Sequence, residues 1–229
     1  MKKTDFLTIF IVALCLTPFF IFETVFAEYK AINGNHPLLM AFVKFAVLAT
    51  FGEMLGLRIK TGKYNAPGFG LLPRMVVWGL LGMWISIAMG VFSRGIPNYL
   101  AQFQIFDGIL VAMGGTFSGM KLMGAFLISV MMNTAFAPVF MTLHKITDTH
   151  ILNNGGKMKA LLTPIPVGEI IANINWKVQW GFVFKKTIPF FWIPAHTLTF
   201  ILPPAFQVLF AAACSIILGL ILSIATLKK

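Results

Sequence analysis

Charged residues are scarce in this chain, and their scarcity excludes most classes of soluble protein. Only 11% of its 229 residues are Asp, Glu, Lys or Arg, whereas 58% are hydrophobic. Soluble domains carry about 25% charged residues. A water-soluble fold of this length could not hide so much apolar surface, so the composition predicts an integral membrane protein.

The sequence also lacks the residue patterns of disulfide frameworks, metal sites and enzymes. Its cysteines, Cys15 and Cys214, lie inside apolar runs, where a thiol behaves as a small hydrophobe. There is no phosphate-binding glycine loop, nucleophile elbow or paired-histidine zinc helix. The spacing of His144, Asp148 and His150 fits no strong metal-site pattern, and an interfacial loop explains these residues better. We therefore expect no enzyme activity, no cofactor and no metal.

Long apolar runs are abundant and predict an all-α membrane bundle of about five full spans. A helix needs about 20 apolar residues to cross the hydrocarbon core. The clear spans lie at about 38–57, 75–93, 122–143 and 206–227. Residues 1–27 form either a further transmembrane helix or a signal peptide, because the apolar run is long for a signal core but Val25 and Ala27 suit cleavage. Residues 28–229 form the multi-pass domain in either case.

The basic residues cluster between the apolar runs and predict the orientation of the chain. Four lie in one segment, namely Arg58, Lys60, Lys63 and Arg74. Six lie in another, namely Lys145, Lys157, Lys159, Lys177, Lys185 and Lys186. The positive-inside rule places both segments in the cytoplasm, with the N-terminus inside a bacterial inner membrane and 144–186 as a cytoplasmic loop. This distribution argues against nucleic acid as a partner and for the lipid bilayer.

Residues 187–204, with the sequence TIPFFWIPAHTLTFILPP, are apolar but contain four prolines. As a helix, Ile188–Leu202 would reach only about 22 Å, against about 30 Å of hydrocarbon. Broken backbone at membrane depth is tolerated only where protein or a water-filled cavity surrounds it. We therefore predict a kinked or half-inserted element with kinks at Pro194, Pro203 and Pro204. Whether this segment crosses the membrane stays open.

Polar residues within apolar segments are expensive and are candidates for a solute pathway. Those selected here are Glu53, Asn133, His196 and Thr197. The Glu53 side chain is too short to reach the interface easily, so we expect it to face the bundle or a cavity, with Lys60 as a partner. Asn133 lies near a kink predicted at Pro138, which frees a carbonyl close to Thr134. A structural role stays open for each candidate.

Small residues at four-residue spacing predict close contacts between helices. The stripes are Gly52 and Gly56; Gly82, Ser86 and Gly90; and Ala211, Ser215, Gly219 and Ser223. Packing within one bundle and a homo-oligomer seam are both compatible with these stripes.

Several short patches along the chain occur in a characteristic order. They are Tyr29, His36-Pro37, Gly52-Glu53, Arg74 with Gly79, Asn133 with Phe136-Ala137-Pro138, Asn175-Trp176, Trp192-Ile193-Pro194, Thr199-Phe200, Pro203-Pro204 and Leu222-Ser223. In this order they resemble the Mpv-seventeen / 22-kilodalton peroxisomal membrane protein family of small integral membrane proteins. The likeness covers about 28–227 and leaves the first helix as an addition.

The sequence also departs from that family. Glu53 replaces an aspartate, Asn133 replaces a glutamine, and Gln207-Val208 stand where an arginine is expected. The Gly-Pro, histidine and Trp-Tyr group after the third run is missing. The resemblance implies a compact bundle of four core helices, often oligomeric, with pore-like passage of small solutes.

Two functional hypotheses follow from these features. The first is a small multi-pass protein with a pore-like or channel-like pathway for small solutes, since proline-broken segments and intramembrane polar groups expose backbone to water. The alternative is a non-transporting membrane scaffold or assembly partner, for which the small-residue stripes alone would suffice.

Overall fold

The computed structural model describes residues 3–227, with side chains up to residue 221, and within this range every regular element is a helix. The all-α prediction is therefore confirmed for the described residues. The predicted contact at Ser223 lies outside the described side chains. The helices group into two compact units, one up to Met40 and one from Ala41 onward.

The first unit contains two helices, α1 (Lys3–Ile21) and α2 (Glu23–Asn35). They meet at Phe22, whose extended backbone (φ −110°, ψ 108°) interrupts the predicted first apolar run. Tyr29 on α2 stacks on Phe26 and makes an edge contact with Phe19. Burial raises the pKa of the Tyr29 phenol, because its ionised form is less well solvated there.

The remaining helices follow in a regular order along the chain. They are α3 (Pro37–Thr61), α4 (Leu71–Leu100), α5 (Ile109–Gly114), α6 (Gly119–Ala135), α7 (Ala137–Asn153), α8 (Val167–Ala172), α9 (Trp176–Val178), a π-helix (Gln179–Trp192), α10 (Ile193–Ile201) and α11 (Pro204–Leu227). Among the described residues, the four helices α1, α3, α4 and α11 are long and apolar enough to cross a membrane. A fifth span results if 104–114 and 119–135 are joined across their 94° bend.

The span predicted over 122–143 is wrong as a single helix. It is divided at Phe136, where α6 ends and α7 begins with Pro138 in its first turn. A proline has no N–H to donate to the preceding turn and is best tolerated at a helix start. The kink predicted at Pro138 is therefore a helix boundary.

The loop predicted over 144–186 is also largely helical. The α7 helix continues to Asn153, because Ile146, His150 and Ile151 fall on one buried face while the polar residues between them are more exposed. Further helix follows in α8 and again from Trp176 onward.

The proline-rich segment is the second half of a longer helical stretch that begins at Trp176. Pro194 lies in the first turn of α10, where the π-helix changes to α-helix. Leu202 is extended (φ −67°, ψ 153°), and α11 starts at Pro204. The length argument against a crossing therefore loses its basis, because residues 187–201 do not form a separate helix.

The core of the second unit is formed where α10 packs on α6 and α6 packs on α4. Phe45, Trp78, Ile128, Met132 and Phe200 are its large buried side chains. Gly82 lets α3 approach α4, because a Cβ at this position would lie 2.4 Å from Cβ of Phe45.

Two glycines join the loop before α4 to the turn after α7. Gly70 and Gly156 both have positive φ, at 75° and 67°. A Cβ on Gly156 would lie 2.6 Å from the Gly70 nitrogen, so the two backbones are in direct contact. This contact places the start of α4 beside the end of α7.

Candidate functional site

An ionic cluster links α3, α4 and α7. Arg74 donates through Nη1 to Oε2 of Glu53 and through Nη2 pairs with Oδ1 of Asp148. Its Nε donates to the carbonyl of Phe69 at 2.6 Å, which fixes the guanidinium plane. The Arg74 side chain is 8% exposed and those of Glu53 and Asp148 about a fifth. The two carboxylates thus share one buried guanidinium.

Trp78 and His144 complete the contacts of Glu53. Trp78 Nε1 donates to Oε1 at 3.0 Å, and His144 Nε2 lies 3.3 Å from the same oxygen. An ionised carboxylate only accepts, so His144 carries a hydrogen on Nε2. The His144 and Trp78 rings lie face to face, with centroids 4.4 Å apart and planes 39° apart.

The predicted partner of Glu53, Lys60, is wrong. Lys60 is exposed in the last turns of α3. Glu53 instead pairs with Arg74 and His144, which reach it from neighbouring helices.

A second polar group joins α6 to α10. Asn133 is fully buried, and its Nδ2 donates to the carbonyl of Ser129 at 2.8 Å and lies 3.2 Å from Ser129 Oγ. His196 Nδ1 lies 3.2 Å from Asn133 Oδ1 and 3.0 Å from Nδ2. Because both hydrogens of Nδ2 have acceptors on Ser129, we assign a hydrogen to His196 Nδ1, which donates to Oδ1. This assignment leaves His196 Nε2 as an acceptor.

Thr197 takes part in backbone hydrogen bonding. Its hydroxyl donates to the carbonyl of Ile193 at 2.7 Å, and Ser129 Oγ donates to the same oxygen at 2.7 Å. Thr197 is not among the residues that line the cavity described next.

A cavity of about 320 Å³ lies within the second unit and connects the two polar groups. Three of the predicted pathway residues, Glu53, Asn133 and His196, line this one cavity. Most of its wall is apolar, and the exposed Lys145 lines its rim. A mostly apolar cavity with a few convergent polar groups is the usual form of a small-molecule site.

The π-helix forms one wall of the cavity. The lining residues of this stretch are Gln179, Val183, Thr187, Trp192 and His196. Gln179 and Trp192 would lie about 140° apart around an α-helix with 3.6 residues per turn. A π-helix has i→i+5 hydrogen bonds and about 4.4 residues per turn, so the two side chains differ by only about 20°. The wider helix therefore turns the first four of these residues toward the cavity.

Trp192 stacks on His196, with centroids 5.1 Å apart, and is 8% exposed. Its indole N–H has no acceptor among the described residues. Trp192 therefore contributes its ring and no hydrogen bond.

The small-residue stripes of α3 and α11 meet inside the chain. A Cβ on Gly52 would lie 3.0 Å from Ile216 Cα, and one on Gly219 would lie 3.0 Å from the Gly52 carbonyl oxygen. Ser215, Gly219 and Ala211 also line the cavity. Gly56 and Gly82 are buried and Ser86 is partly buried, whereas a Cβ on Gly90 would meet nothing within 4 Å.

Sequence reasoning missed the partners of Glu53. His144 and Asp148 were assigned to a loop, because the helix was expected to end at 143. Their four-residue spacing places both on one face of α7, and this spacing was the available signal. His150 bonds elsewhere, with Nε2 3.0 Å from the carbonyl oxygen of Ala160.

Comparison with models of known protein families gave no match for this chain. Searches of curated proteins and of solved structures also gave no match. The resemblance described from the sequence patches stays a prediction.

Proposed function

We propose that this chain is a small multi-pass membrane protein whose helix bundle provides a channel-like pathway for small solutes. The observation that supports this function is the cavity shared by Glu53, Asn133 and His196, which come from three different helices. Polar side chains at membrane depth are expensive, and they are retained mainly where they line cavities or pair with one another. These three do both.

The π-helix adds to this support. Irregular backbone at membrane depth is tolerated where protein or a water-filled cavity surrounds it. Here the wider helix directs Gln179 and Thr187, both polar, to the cavity wall. A purely structural bundle has no need for such a polar wall.

The proposed location is a bacterial inner membrane with the N-terminus in the cytoplasm. The basic segments 58–74 and 144–186 would then face the cytoplasm. The contact between Gly70 and Gly156 supports a common side for these segments.

A non-transporting scaffold is the alternative function, and it rested on the small-residue stripes. Gly52 and Gly219 already contact each other's helices within the chain. These positions are therefore not free to contact a partner protein, which leaves the scaffold with less support than the pathway.

Reconstitution into liposomes loaded with neutral solutes of graded size tests the pathway. We expect the protein to release solutes below a size limit faster than empty liposomes do. Met141→Trp, in the cavity wall, should slow release at least about threefold. Met158→Trp, at an exposed position outside the wall, is the matched control and should leave release unchanged.

Two results would contradict the proposal. Release equal to that of empty liposomes for every solute would favour the scaffold. Equal release from the Met141→Trp and Met158→Trp proteins would show that solutes do not pass through this cavity. Thermal unfolding of both variants in detergent checks that each is folded.

A further inference from the structure

The ionic cluster beside the cavity contains more negative than positive charge. Glu53 and Asp148 both pair with Arg74, and the remaining ionisable partner of Glu53 is His144. With a neutral His144, two carboxylates and one guanidinium leave one negative charge. A partly buried charge without a counter-charge is costly, so this group favours a cation nearby.

The excess charge is accessible from the cavity through Glu53. Glu53 lines the cavity, whereas Arg74 and Asp148 do not. A cation in the cavity therefore meets the carboxylate and not the guanidinium. Lys145 is the one positively charged lining residue, and its side chain is exposed at the rim, where solvent screens it.

The wall next to Glu53 is aromatic. The aromatic lining residues are Phe45, Trp78, Phe136, Phe140 and Trp192. Aromatic faces attract cations, and cages of such rings with a nearby carboxylate recognise alkylated ammonium groups. A hard metal ion would need about six to eight oxygen ligands, which a mostly apolar wall does not offer.

We propose that the cavity binds a small organic cation, with its ammonium group near Glu53 and its alkyl groups against the aromatic wall. This inference gives a substrate class to the proposed pathway and rests on that function in using the same cavity. A neutral solute of the same shape would gain the apolar contacts but leave the Glu53 charge without a partner.

Protonation of His144 competes with this cation. The charged groups around the imidazole are Glu53 on α3, Arg74 on α4, and Lys145 and Asp148 on α7 itself. The π-helix contributes no charged residue to the cavity wall. A proton on His144 supplies the missing positive charge and neutralises the cluster, so organic cations should bind more weakly in acid.

Calorimetric titration of the full chain in detergent tests the inference. The ligands are choline and its uncharged isostere, in which a tert-butyl group replaces the trimethylammonium group. At about pH 8 we expect choline to bind at least about tenfold more tightly than the isostere. At about pH 5.5 the affinity for choline should fall several-fold, while that for the isostere should not change.

Two variants and a control locate the effect. Glu53→Gln should abolish the preference for choline, and His144→Gln should remove the pH dependence. Glu169→Gln removes an exposed carboxylate on α8, away from the cavity, and should change neither result. The comparison of two ligands on the unmodified chain stays decisive even if Glu53→Gln does not fold.

The outcomes separate this inference from the proposed function. Equal affinities for choline and the isostere, or no binding of either, would overturn the organic-cation site. A choline preference without solute release from liposomes would support the site but not the pathway. Solute release without any choline preference would support the pathway and overturn the site.

Discussion

Arg74 contacts carboxylates on two other helices and a carbonyl in the loop before its own helix. Only a guanidinium offers donors in a planar fork that can reach three acceptors in different directions. A lysine would keep the charge but could not hold α3, α7 and the loop in one geometry. At the residue scale, Arg74 therefore sets the position of Glu53 at the cavity wall.

Two buried tryptophans provide a matched test of the Glu53 contacts. Trp78→Phe removes the hydrogen bond to the carboxylate and should lower the free energy of unfolding by about 1.5–3 kcal/mol, the usual range for a bond to a charged group. Trp192→Phe removes an N–H without an acceptor among the described residues and should cost less than about 1 kcal/mol. Thermal unfolding in one detergent compares the two. Equal losses would argue against the Trp78–Glu53 bond.

Residue type predicted which polar side chains matter but not what they contact. Glu53, Asn133 and His196 were selected because a polar group at membrane depth needs a reason. Their partners lie far away in sequence: Arg74 is 21 residues from Glu53, and His196 is 63 residues from Asn133. Such pairs depend on how helices pack, which one sequence does not specify.

At the element scale, close contact between α3 and α11 depends on glycine. A Cβ on Gly52 would lie 3.0 Å from a backbone atom of Ile216, so Gly52→Ala must push the helices apart and should cost about 1–3 kcal/mol. Gly90→Ala has open space and should be neutral or stabilise by up to about 1 kcal/mol, because alanine favours helix. Unfolding of the two variants in the same detergent measures the difference. If Gly52→Ala were as stable as the unmodified chain, α3 and α11 would not be in this contact.

Prolines predicted most of the helix boundaries, whereas the π-helix had no recognised signal. Pro138 and Pro204 each lie in the first turn of a helix that follows a break. The π-helix keeps Gln179, Val183 and Thr187 at four-residue spacing, which also fits an ordinary α-helical stripe over a short distance. Only the five-residue step from Thr187 to Trp192 distinguishes the two periods.

At the scale of the whole molecule, the two basic segments should share one side of the membrane. Reporter fusions after residues 65 and 157 are expected on the cytoplasmic side, because the turns near these positions contact each other through Gly70 and Gly156. A fusion after residue 107, between α4 and α5, is expected on the opposite side. Alkaline phosphatase activity, which requires export, measures the location. Activity of the fusion after 65 but not of that after 157 would contradict a common side.

Apolar run length was sufficient to predict an all-α bundle with four or five spans, because the bilayer sets the length of each helix. It was not sufficient to predict the length of α7 or the continuous helix from Trp176 to Ile201. Both contain charged residues that interrupt the hydropathy, yet each buries one face against the bundle. Burial by neighbouring helices, which hydropathy along one segment does not report, decided these two cases.

The contribution of α11 to the cavity has a consequence for how the protein is made. Ala211, Ser215, Leu218 and Gly219 all belong to this wall, and α11 follows every other described helix in the chain. During synthesis the earlier helices enter the membrane while this wall is still missing. Glu53 and Asn133 then face an open side of the bundle until α11 arrives, so a chaperone or the insertion machinery would be needed longest at this last step.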